Sequence, residues 1–100
     1  MTWLTTCLAR CAVARSKCAV SLSERDREQA ALLLRCAADL ATQGETHAFT
    51  VALRSINVTS MARSAAYRFY NSVHWPALLL GVKPFDYHTT LLEAAQLLCD

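Results

Sequence analysis

Apolar side chains recur at helical spacing through REQAALLLRCAADLATQ, residues 27–43, and this pattern constrains the fold more than any other feature. At 3.6 residues per turn they share one helix face; they are Ala30, Leu33, Leu34, Ala37, Leu40 and Ala41. Ser21 or Ser23 can cap this helix, and Glu24 and Asp26 suit its first turn. Gly44 is the residue type that ends a helix in the left-handed conformation. The stretch therefore predicts an amphipathic helix.

The rest of the chain also has helical punctuation, and strand-like alternation is nowhere sustained. We expect helices over residues 2–19, over HAFTVALRS after a Thr46 cap with Asn57 as a left-handed stop, and over MARSAAYRFYNSV after Thr59 or Ser60. Trp75-Pro76 should break the chain and restart it as PALLL, ending at Gly81. After a loop over residues 83–88, Thr90 and Glu93 form a capping box for the last helix, LLEAAQLL.

These elements predict an all-α fold, a compact bundle of five to six short helices. We divide the chain into an N-terminal helix over residues 1–22, which serves packing or interaction, and a helical domain over residues 23–100.

The composition is apolar for a soluble chain of single-domain length. Hydrophobic residues make up 54% of the 100 residues and charged residues 18%, so we expect a partner or a second copy to cover part of the surface. No stretch approaches the roughly 18 uninterrupted apolar residues of a membrane span. We therefore expect a cytoplasmic protein without a membrane partner. Residues 1–22 also fit a cleaved organelle-targeting segment, and their composition leaves that alternative open.

Three of the five cysteines lie in CLARCAVARSKC, residues 7–18. On a helix, Cys11 and Cys18 are about 10 Å apart along the axis, too far to share a zinc ion with bonds of about 2.3 Å. An odd cysteine count also excludes a fully paired disulfide framework. Spacings of three and four residues instead form a helix-packing seam, made of Leu4, Cys7, Cys11, Ala14 and Cys18. Its partner is either another helix of the chain or a second copy, which would make a homodimer.

No motif in the sequence indicates an enzyme. The chain has no Gly-rich phosphate loop, no HExxH pair and no recognisable nucleophile motif around its cysteines and histidines. We therefore expect no catalytic residues, no metal and no cofactor.

Residues 46–85 carry four basic residues and no acid, which indicates an anionic partner. Tyrosine, tryptophan and arginine, the residues that dominate protein-binding hot spots, are interleaved there. The predicted partner-binding residues are Arg54, Arg63, Tyr67, Arg68, Tyr70 and Trp75.

The same region, residues 49–73, also has the outline of a helix-turn-helix. On that alternative interpretation Ser60, Arg63, Ser64 and Arg68 would face DNA. Asn57 stands where glycine is common in the turn, and Arg63 falls near a position where a buried aliphatic residue is expected.

Two stretches, LLLRCAADLA (residues 32–41) and LLEAAQLL (residues 91–98), resemble the opening and closing helices of small accessory proteins encoded by bacteriophages and prophages. The resemblance covers residues 24–99. It implies a compact helical protein that binds host proteins, including defence complexes, or regulates transcription. The family has no assigned catalytic residues, so no site residue is implied. Our leading interpretation is a non-enzymatic interaction protein that modulates a larger host protein or nucleoprotein complex, with a DNA-binding regulator as the alternative.

Overall fold

The computed structural model describes residues 22–99, together with Ala9, and this part of the chain is all-α. Its helices are α1 (Glu24–Thr42), α2 (Ala48–Ser55), α3 (Ser60–Leu79) and α4 (Pro84–Cys99). Helix α1 is the central element: it packs against all three others, most extensively against α4. The predicted seam of Leu4, Cys7, Cys11, Ala14 and Cys18 lies outside the described residues, as does the predicted helix over residues 2–19.

Local signals set both ends of α1 as predicted. The side chain of Ser23 accepts a hydrogen bond from the Asp26 N–H at 3.1 Å, which caps the helix. Gly44 follows the last turn with a φ of 81°, a conformation that costs glycine little because it has no Cβ. Beyond it, the N–H of Glu45 donates to the carbonyl of Leu40 at 3.1 Å and satisfies one of the free carbonyls at the helix end.

Two proline-based predictions were wrong. Helix α3 continues through Pro76 to Leu79, so two predicted helices are one, and residues 22–99 form four helices where we expected five in that part. Buried Val73, Pro76 and Ala77 carry the apolar stripe past the proline, and this packing outweighs the one helical hydrogen bond that Pro76 cannot donate.

The last helix begins at Pro84 instead of Thr90, because proline suits the first helical turn. Thr90 is buried in the middle of α4, so the predicted capping box does not form.

The two ends of α2 also differ from the prediction. The N-cap residue is His47 without a side-chain cap, and the Glu45 carboxylate accepts the His47 N–H at 2.9 Å in place of a Thr46 cap. Asn57 does not adopt the left-handed conformation, which no non-glycine residue of the described part adopts. The helix ends because the backbone of Ile56 is extended, and residues 56–59 connect it to α3.

Thr59 joins α1 to the start of α3. Its hydroxyl accepts the Ala62 N–H at 3.1 Å and donates to the Asp26 carboxylate at 2.7 Å. Its backbone N–H donates to the Gln29 side chain at 2.9 Å. The hydrogen bond from Thr59 lowers the pKa of Asp26. One residue thus caps α3 and fixes the position of its first turn on α1.

We expect Thr59→Ala to lower the free energy of unfolding by about 1–2 kcal/mol, because the N-cap acceptor is lost together with a bond to α1. Urea denaturation measures this loss. Thr89→Ala is the matched control, since Thr89 is exposed on α4 and should change stability by no more than about 0.5 kcal/mol. Equal losses in the two variants would contradict the role given to Thr59.

Candidate functional site

A groove runs along the face that α2 and α3 share. It consists of three neighbouring depressions. The central one shares Phe49, Thr50 and Tyr67 with the depression on one side, and Thr50, Leu53 and Arg63 with the depression on the other. We call it the α2–α3 groove; its remaining lining residues are Thr46, His47, Arg54, Ile56, Asn57, Val58, Ser64, Tyr70, Asn71, His74 and Trp75.

The structure brings most of the predicted partner-binding residues to this groove. Arg54 and Arg63 line one end, Tyr67 lies at the middle, and Trp75 lies at the other end. Tyr67 and Trp75 are each about half exposed, at 54% and 51%. Arg68 is exposed on α3 but lines none of the described depressions.

Tyr70 requires a correction, because it is a core residue and not part of the contact surface. Only 5% of it is exposed. Its ring lies 5.1 Å from that of Phe49 and is stacked 5.2 Å from that of His74. Tyr70 therefore forms the floor beneath the groove.

Phe49 of α2 positions the aromatic rings of α3. It is buried, and its ring centroid lies 5.5 Å from that of Tyr67. At the far end, Trp75 meets the edge of the His74 ring at 5.7 Å. Both half-exposed rings are thus held against a neighbouring ring, which limits the rotamer freedom that a partner would have to remove.

Within the part of the chain that the structure describes, the groove is lined by apolar residues, by cations and by neutral polar groups, and by no acid. Its charged lining residues are Arg54 and Arg63, with His47 and His74 as further nitrogen donors. Glu45 stands near one end, where its carboxylate is engaged by the His47 N–H. The groove therefore favours a ligand that brings negative charge together with apolar surface.

The hydroxyls of Tyr70 and Tyr87 both approach His74 Nδ1 below the groove, the Tyr70 hydroxyl to 3.5 Å. Burial raises the pKa of both tyrosines. The Tyr87 hydroxyl lies 3.3 Å from His74 Nδ1 and can donate to it. When Tyr87 donates, Nδ1 is the acceptor and the neutral imidazole carries its proton on Nε2.

Burial lowers the pKa of His74, and the nearby His47 lowers it further. As the pH falls, the unfolded chain therefore takes up a proton at this residue before the folded chain does. The stability that the neutral ring provides is present above about pH 6.5, the pKa of unperturbed histidine, and is lost as the pH falls through the folded-state value.

We expect His74→Gln, which keeps a hydrogen-bond acceptor but cannot titrate, to reduce the loss of stability between about pH 7 and pH 5. Urea denaturation across this pH range gives the slope for each protein. Parallel slopes for the variant and the original chain would contradict the assignment.

The described part of the chain contains two free cysteines, Cys36 and Cys99. Partial burial raises the pKa of Cys36, which keeps it a thiol, and Cys99 is exposed near the end of α4. Within residues 22–99, no three histidine, cysteine or acidic side chains come together as metal ligands could.

A second depression, missed at the sequence level, lies where α3 meets α4. This α3–α4 cleft has a volume of about 480 Å³. Its lining residues are Thr46, His47, His74, Leu78, Gly81, Val82, Lys83, Pro84 and Tyr87. Exposed leucines and Phe85 surround this end of the molecule, with Leu79 exposed by 81%. The signal in the sequence is the apolar run PALLLGVKPF, residues 76–85, which supplies most of the cleft's lining. The prediction of a short helix followed by a loop divides this run and hides the cleft.

Comparison with protein-family models, with curated proteins and with solved structures gave no match. None of α1 to α4 has both the length and the apolar character needed to cross a membrane.

Proposed function

We propose that this chain is a non-enzymatic interaction protein that binds an acidic, partly apolar segment of a larger protein or nucleoprotein complex in the α2–α3 groove. The observation that carries the proposal is the groove lining itself: two arginines and two half-exposed aromatic rings without an acid among them. Arginine, tyrosine and tryptophan supply most of the binding energy in many protein interfaces.

The arrangement of these side chains supports a segment with both acidic and apolar residues. Arg54 and Arg63 line the same depression and can meet carboxylates. Phe49, Leu53 and Tyr67 supply apolar surface beside Arg63. A purely anionic ligand would leave that apolar surface exposed to water.

The sharpest form of this proposal is a phage-encoded inhibitor of a host defence complex. Its support is the resemblance carried by residues 32–41 and 91–98. Those stretches lie in α1 and α4, which form the most extensive helix–helix contact of the described part. The resemblance therefore concerns the scaffold, and the α2–α3 face would determine which partner is bound.

A peptide selection tests the proposal. The full chain is used to select binders from a library of random peptides, and the binders are then measured against two variants. Arg54→Glu/Arg63→Glu reverses two charges in the groove, and Arg25→Glu/Arg35→Glu reverses two exposed charges on α1. We expect acidic peptides with aromatic or leucine residues, whose binding survives only in the α1 variant. Basic peptides, or equal binding to both variants, would contradict the proposal.

The same reagents address the host partner. A pull-down from bacterial lysate should retain a protein on the original chain and on the α1 variant, and a selected peptide should release it. If nothing retained depends on the groove arginines, the interaction proposal is wrong.

The helix-turn-helix alternative also has structural support. Residues 56–59 connect α2 to α3, and Ser60, Arg63, Ser64 and Arg68 are all exposed on α3. Against it, the Asp26 carboxylate binds Thr59 at the start of α3, where it would repel a DNA phosphate.

Arg68 separates the two functions, because it lies outside the groove. Mobility shifts on duplex DNA at two salt concentrations should show affinity that falls steeply with salt if the chain binds DNA. Arg68→Ala would then weaken DNA binding, whereas the groove proposal expects peptide binding to persist in this variant.

A further inference from the structure

We propose that the α3–α4 cleft is a binding site for a small amphiphilic anion, a carboxylate attached to an apolar chain. This site goes beyond the proposed function: it is lined mainly by residues at the α3–α4 connection, and it needs neither Arg54 nor Arg63.

The size and walls of the cleft fit a small organic molecule. Its volume of about 480 Å³ falls within the range of ligand pockets, roughly 300–1,000 Å³. Leu78, Val82 and Pro84 provide apolar walls. An alkyl chain of moderate length would bury apolar surface there and be stabilised by the hydrophobic effect.

The polar groups of the cleft are mainly donors, which selects an anionic head group. Lys83 contributes an ammonium group, and Thr46 a hydroxyl. The Tyr87 hydroxyl lies 3.3 Å from His74 Nδ1 and can donate to it, so it is already engaged within the protein. A neutral His74 ring that accepts at Nδ1 offers an N–H at Nε2. Among the described residues, those that line the cleft include a lysine and no carboxylate, and the nearby Glu45 carboxylate is engaged by the His47 N–H.

The surroundings of the cleft favour an amphiphile over a purely polar anion. Leu78, which lines the cleft, is exposed by 56%, and the following Leu79 and Leu80 are exposed by 81% and 63%. Trp75 and Phe85 on either side are also more than half exposed. A ligand with an apolar chain would cover part of this surface, which a free inorganic anion would leave in water.

Titration of the full chain with octanoate, octylammonium and octanol tests the site. All three are used below the concentrations at which they form micelles, and backbone and indole ¹H–¹⁵N chemical shifts report binding. We expect saturable backbone shifts at Gly81, Val82 and Lys83 with octanoate, and about tenfold weaker binding of the other two, as for the loss of one charge-assisted contact.

Two exposed positions provide the matched variants. Lys83→Gln should weaken octanoate binding by about tenfold, whereas Arg35→Gln, with the same charge change on α1, should leave it unchanged. Leu78→Asn should weaken it through loss of an apolar wall. Equal binding of octanoate and octylammonium, no effect of Lys83→Gln, or no saturable octanoate binding would overturn the proposal. The cleft shares Thr46, His47 and His74 with one end of the groove, but Lys83 and Leu78 line only the cleft. Failure of this proposal is therefore distinguishable from failure of peptide binding at Arg54 and Arg63.

Discussion

Replacing Phe69 with alanine should lower the free energy of unfolding by about 3–5 kcal/mol, one of the largest losses that a single substitution can produce. Phe69 is 0% exposed and is the largest of the fully buried side chains in the described part. Of the 22 buried apolar residues in the described part, 13 are alanines, whose side chains cannot reorient to fill a cavity. The site should therefore collapse poorly, and the cost should fall at the upper end of the range.

Thermal and urea denaturation measure this loss, and Leu79→Ala provides the control. Leu79 also lies on α3 but is exposed by 81%, so its replacement should change stability by no more than about 0.5 kcal/mol. For a chain of this length, the Phe69→Ala loss corresponds to a fall in Tm of more than about 12 °C. Similar losses in the two variants would mean that α3 is not packed as the structure shows.

Reversing both groove arginines should weaken partner binding by about a hundredfold. Each of Arg54→Glu and Arg63→Glu replaces an attraction to an acidic partner residue with a repulsion, and about 1.4 kcal/mol at each position gives two powers of ten in Kd. Isothermal titration with a selected acidic peptide measures the change. Arg25→Glu/Arg35→Glu alters the net charge equally and should change Kd by less than about threefold. A comparable loss in both variants would indicate that only the overall charge matters.

Features that depend on a few neighbouring residues could be predicted from the sequence. Ser23 caps α1, Gly44 follows it with a positive φ, and Thr59 caps α3, as their residue types indicate. The buried face of α1 follows from its periodicity, because a single amphipathic helix carries its own pattern. The bonds from Thr59 to Asp26 and Gln29 bridge residues about thirty positions apart, and no local pattern indicates them.

Features decided by tertiary packing could not be predicted. Pro76 is a helix breaker by residue type, yet buried neighbours on either side keep α3 continuous. Thr90 and Glu93 have capping-box spacing, but the helix had already begun at Pro84. Packing against neighbouring helices determines the first outcome, and an earlier start signal at Pro84 determines the second.

The candidate site shows the same division. Tyr67 and Tyr70 are three residues apart on α3, and both resemble contact residues in the sequence. Phe49 of α2 packs against both rings, but Tyr70 is also stacked on His74 and is buried, whereas Tyr67 stays about half exposed. Arg68 carries the same charge as Arg63 but lies outside the groove. The two arginines are five residues apart on α3, and this spacing places them on different sides of the helix. The α3–α4 cleft requires two helices and their connection to meet, and no single motif encodes it.

Chemical-shift mapping with a selected acidic peptide tests the central claim, that the α2–α3 groove is the partner-binding surface. At saturation we expect the largest ¹H–¹⁵N shifts at Thr50, Leu53, Arg63, Ser64 and Tyr67. Residues on the exposed face of α1, such as Arg25 and Arg35, should shift little. Shifts concentrated on α1 or α4, with the groove residues unchanged, would contradict the claim.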